Sequence, residues 1–76
     1  MKNKLDLHGI KHIDVDILVE DFCLLTKPPF SIITGNSTTM QKKTISVLDK
    51  HKFKWCILSH NLGEIIITGW KKFYFY

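Results

Sequence analysis

Two short segments carry the residue types that could do chemistry. In Leu5-Asp6-Leu7-His8-Gly9 a carboxylate and an imidazole stand two positions apart. On a strand that spacing puts Asp6 and His8 on one face and Leu5 and Leu7 on the other. A carboxylate beside an imidazole fixes the ring's tautomer and raises its basicity, which suits a general base or a phosphate-contacting imidazolium. The competing reading is structural: Asp6 caps a neighbouring turn, and His8 is a surface or half-buried polar residue. The second segment is Thr34-Gly35-Asn36-Ser37-Thr38, which leads into a predicted helix. Backbone N–H groups and hydroxyls at such a point would present an anion site. Gly35 would allow close backbone approach or a positive φ. Lys42 and Lys43, expected in the helix's first turn, would add charge to a bound phosphate. The alternative is a plain strand–turn–helix connection with a good cap. Together the two segments describe a phosphodiester site better than either does alone.

The elements that must position them can be read from apolar periodicity. Residues 4–8 form a short strand that Gly9 stops. Val15, Leu18, Val19, Phe22 and Leu25 then recur with helical spacing over about residues 13–26. Asp14 and Asp16 lie near the start of this stretch, where negative charge favours the helix dipole, and Pro28-Pro29 blocks its continuation. Residues 30–34 read as a second strand ended by Gly35-Asn36. Thr38, with Gln41 three positions on, fits a capping box that opens a second helix over about residues 39–51. Its inward face is Met40, Thr44, Val47 and Leu48, with Ile45 flanking. Residues 53–58 give a third strand, Asn61-Leu62-Gly63 a turn, and residues 64–68 a fourth strand. The expected fold is α+β, a two-layer β-α-β-α-β-β arrangement with a four-stranded mixed sheet. The first two strands, joined through a helix, should be parallel with a right-handed crossover. Their carboxyl ends then bring His8-Gly9 and Thr34-Gly35 to one crevice, the place that ligands favour in open α/β sheets.

The chain has 76 residues and a hydrophobic share of 45%, which bounds it to one domain with a modest core. No apolar run approaches the roughly 20 residues of a membrane helix, and the N-terminus lacks the apolar region of a secretory signal. Cytoplasmic residence is the expectation. Cys23 and Cys56 form no C-x-x-C pair and read as two buried thiols. Charge is uneven: residues 1–26 carry three Lys and five acids, net −2, and residues 27–76 carry eight Lys and two acids, net +6, giving +4 in all. That bias suits either a polyanion or a plain solvated surface. All 11 basic residues are Lys and none is Arg. Lys meets phosphate as a point charge, whereas reading of guanine edges favours Arg, so a nucleic-acid partner would be held through phosphate and shape. His12, His51 and His60 show no ligand spacing; no metal site is assigned, and the use of a divalent ion stays open. No glycine pattern for a dinucleotide or Walker site is present, and the sequence requires no cofactor. The stretch from residue 69 to 76 mixes aromatic and basic residues. It could stack on bases, form an edge strand or make a dimer contact.

The Leu5–Gly9 segment resembles the LDLHG motif that opens Smr (small MutS-related) domains. Thr34-Gly35-Asn36-Ser37 resembles their T/H-G-x-G loop, which also precedes the second helix. The likeness spans about residues 4–68. It implies a fold similar to the C-terminal domain of translation initiation factor three and a nucleic-acid-binding domain, with endonuclease activity on RNA or on structured or single-stranded DNA. It implies Asp6 and His8 as the catalytic pair. Gly9, Thr34, Gly35, Asn36, Ser37 and Thr38 would be binding residues, with Lys42 and Lys43 beside them. Ser37 departs from the pattern, which has a second glycine there; its hydroxyl could itself meet the anion. Little chain precedes the first strand, so the N-terminal extension of larger members is not expected. The alternatives are a binding module for nucleic acid or a ribonucleoprotein without catalysis, and a protein-interaction or oligomerisation domain using the aromatic tail.

Overall fold

The structure, a computed structural model, describes residues 3–71. Six elements follow in order: β1 (Asn3–Asp6), α1 (His12–Leu25), β2 (Phe30–Ile33), α2 (Thr38–Lys50), β3 (Phe53–Ile57) and β4 (Glu64–Trp70). The strands make one mixed sheet ordered β1-β2-β4-β3. β1 and β2 are parallel, and β4 runs antiparallel to both β2 and β3. This is the expected α+β architecture.

Period-two patterning explains the sheet's buried face. Phe30 and Ile32 of β2 pair with Ile67 and Ile65 of β4, and all four are buried. Against them the helices bring Val15, Val19 and Cys23 from α1 and Met40, Thr44, Val47 and Leu48 from α2. The inward face expected for the second helix is thus observed. The end of the sheet remote from the carboxyl ends of β1 and β2 is closed by aromatic rings. Phe22 meets Phe30 at 5.2 Å, Phe30 meets Phe53 at 5.8 Å, and Phe53 stacks on Trp70 at 5.7 Å between centroids. Such pairs add roughly 0.5–1.5 kcal/mol each beyond simple burial.

Several expectations need correction. Leu25 is 87% exposed, because Cys23 rather than Leu25 continues the Val15–Val19 row toward the core. Burial pushes the Cys23 thiol up to about 11, but Cys56, expected to be buried, is exposed on β3. β4 runs two residues beyond residue 68, so Gly69 and Trp70 belong to the sheet, not to a tail. The rest of the aromatic tail, residues 72–76, lies outside the described residues, as does any contact expected of it. The charge asymmetry is partly internal. Lys43 lies 3.9 Å from Asp16 and Lys50 lies 3.3 Å from Glu20, tying basic α2 to acidic α1. No helix among the described residues is long and apolar enough to cross a membrane.

Candidate phosphodiester site

β1 ends one residue after Leu5, at Asp6, and the chain stays tied to β2 for one step more, through the Leu7 N–H and the Ile33 carbonyl at 2.9 Å. Leu7 is fully buried and anchors the turn. Gly9 at φ +77° lets the chain reverse, and the Ile10 N–H bonds back to the Leu7 carbonyl at 3.1 Å. His8 therefore stands in a turn with Gly9, not in the strand where the sequence pattern puts it. The pairing of Asp6 and His8 holds nonetheless. Oδ1 of Asp6 accepts from the backbone N–H of His8 at 2.9 Å and from ring Nδ1 at 2.8 Å. Those two bonds, the backbone one first, hold the Asp6 carboxyl below its ordinary value. With Nδ1–H donated to Asp6, the neutral ring leaves Nε2 as its acceptor. That nitrogen faces Gly35: a Cβ placed there would stand 3.4 Å from it.

The β2–α2 turn is built differently. Thr34 is buried, and Gly35 has φ +66°. Their N–H groups both donate to the Gly63 carbonyl, at 2.8 and 3.1 Å, and the Thr34 hydroxyl donates to the carbonyls of Gly35 and Gly63 at 3.0 and 3.4 Å. Sequence reasoning aimed these amides at an anion; they are instead spent on the β3–β4 connection. Ser37 is the cap of α2, one position before the expected Thr38, and its Oγ accepts from Met40 N–H at 3.2 Å. Of the N–H groups in the helix's first turn, those of Thr38 and Thr39 remain open, and the Ser37 O–H is still a donor. Asn36 and Thr38 are exposed beside them. Lys42 and Lys43 are the fifth and sixth residues of α2, beyond its first turn. Lys42 is exposed, while Lys43 is turned toward Asp16.

The third partner went unpredicted. Gly63 packs on Gly35 so closely that a Cβ there would lie 3.2 Å from the Gly35 Cα. Gln41 clamps the same junction, its Nε2 donating to the carbonyls of Leu62 at 2.8 Å and Gly35 at 3.4 Å. The turn signal at Asn61-Leu62-Gly63 marked a reversal, but nothing in it told where the reversal would pack. His12, His51 and His60 stay apart from any ligand set, and no group of three His, Cys, Asp or Glu among the described residues is placed to hold a metal ion.

Chemically, Nε2 of His8 can accept or return a proton beside a turn whose open donors include the Ser37 hydroxyl and the Thr38 and Thr39 amides. Comparison with protein-family models, curated proteins and solved structures returns no match for the chain.

Proposed function

We propose that this is a Smr-like nucleic-acid-binding domain acting in the cytoplasm as an endonuclease on RNA or on structured or single-stranded DNA. The observation that carries the reading is the double hydrogen bond of Asp6 to His8, which aims Nε2 at the β2–α2 turn. His8 acts as general acid/base, Asp6 orients it, and the start of α2 receives the phosphate oxygens. Helix N-termini favour anions through unpaired N–H groups and the macrodipole. Lys42 adds a charge that meets phosphate without reading base edges.

Purified protein should cut end-labelled RNA or single-stranded DNA, and His8→Ala should lower the rate by about 10²–10⁴-fold, the usual contribution of a positioned acid/base. Circular dichroism checks that the variant folds. Cleavage unchanged in His8→Ala overturns the catalytic assignment.

One observation favours a second reading, binding without cleavage. The Thr34 and Gly35 amides and the Lys43 ammonium are already engaged within the protein, so few groups remain to stabilise a transition state. Salt-sensitive binding with no cleavage, weakened by Lys42→Glu and indifferent to His8→Ala, would establish it.

A further inference from the structure

Next to Gly35 lies a cavity of about 390 Å³ lined by Asn36, Thr38, Gln41, Ile57 and Leu62. We infer that it is a nucleobase subsite for the nucleotide flanking the phosphate held at His8 and α2, selecting bases with an exocyclic amino group. This rests on the proposed phosphodiester chemistry for its neighbour but not for its own shape. The volume lies near the lower end of the roughly 300–1,000 Å³ typical of small-ligand clefts. Ile57 and Leu62 supply apolar contact for the flat face of a base. Polar groups come from the turn and from the start of α2.

Gln41 gives the selectivity. An Asn or Gln amide normally leaves its orientation open, but here two carbonyl oxygens surround one end of it. Only nitrogen can face both Leu62 O at 2.8 Å and Gly35 O at 3.4 Å. Both N–H bonds are thereby spent, and Oε1 is left as a fixed acceptor in a side chain that lines the cavity. A fixed acceptor rewards a donor. Adenine, cytosine and guanine present an amino group on their pairing edge; uracil offers only N3–H there, set between two carbonyl oxygens that repel an approaching acceptor, and is disfavoured. Gly35 links this cavity to the catalytic pair, since its carbonyl receives Gln41 while its Cα abuts His8.

The test follows methyl signals of Ile57 and Leu62 while adenosine, cytidine or uridine 5′-monophosphate is added, with cleavage assayed in parallel. Saturable shifts are expected, with the adenosine and cytidine nucleotides bound at least about fivefold more tightly than the uridine one, the scale of one net hydrogen bond. Gln41→Ala should level that preference. Because Gln41 also clamps the turn, Leu62→Ala at an exposed position serves as the second variant and should weaken all three nucleotides several-fold. Equal response to the three bases, or no saturable shift, overturns the subsite even where His8-dependent cleavage persists. Base preference retained in a protein that cuts nothing upholds the subsite and removes the catalytic reading instead.

Discussion

The turns after β1 and β2 look alike locally and differ in what surrounds them. Each places a glycine at positive φ, +77° at Gly9 and +66° at Gly35. Around Gly9 there is room, with nothing within 4 Å of the place a Cβ would take, whereas Gly35 is enclosed by His8 on one flank and by Gly63 on another. The first turn serves to present His8; the second is a junction where β2, α2 and the β3–β4 connection are locked by the Gly63 carbonyl and by Gln41. One glycine answers to backbone torsion alone, the other to torsion and close packing together. The open turn carries the imidazole together with the Asp6 that orients it, and the closed one is the surface that Nε2 faces.

The sharpest way to break this contrast is at Gly63. A methyl group there meets Gly35 backbone at 3.2 and 3.3 Å, atoms that cannot swing aside as a side chain would. Gly63→Ala should cost about 1–3 kcal/mol, the usual range for forced overpacking. For a domain this small, each kcal/mol lowers Tm by about 4–8 °C. A melting temperature equal to the parent's would show that the junction is looser than described. Next come the paired glycines. Gly35→Ala and Gly9→Ala should each lose about 1–2 kcal/mol to left-handed strain. Only at Gly35 does the new methyl reach the His8 ring, so its cleavage rate should fall further than that of Gly9→Ala. Equal losses in stability and in rate at the two positions would erase the distinction between the turns.

The smallest effect concerns Asp6. Its carboxyl lies below the ordinary value of 3.8 in the folded chain, chiefly through the His8 backbone N–H and then the ring. A lowered value means that the contribution to stability is present above 3.8 and is lost as pH falls through the folded midpoint, which lies lower. Both side chains are well exposed, and solvent screens the pair, so the readout is the titration itself. Carboxyl carbon shifts should give a midpoint below 3.8 that rises toward 3.8 in His8→Ala. A midpoint at 3.8 in the parent protein would mean that Asp6 does not hold His8.

What the sequence disclosed divides along the same lines. Strand and helix periodicity placed every element, and the inward face of α2 emerged residue by residue, because Met40, Thr44, Val47 and Leu48 obey one period. α1 was harder. Its exposed face carries Ile13, Ile17, Leu24 and Leu25, so apolar residues lie on both sides and the stripe could be phased toward Leu25. The Asp6–His8 pair was legible because two residues apart is a local relation. The Gly35–Gly63 contact was not, since it joins two distant stretches of chain and depends on how the β3–β4 turn lands against α2. For the same reason the amides of Thr34 and Gly35 were assigned to a ligand when a carbonyl from the β3–β4 connection already takes them.

Whether His8 and the start of α2 form one phosphate site is decided by titrating a dinucleotide into isotope-labelled protein while the His8 ring nitrogens and the Thr38 and Thr39 amides are followed together. A single site requires that all of them shift along one saturation curve, and that His8→Ala weakens the response of the two amides. Shifts confined to one group, or two curves with separate midpoints, would contradict it.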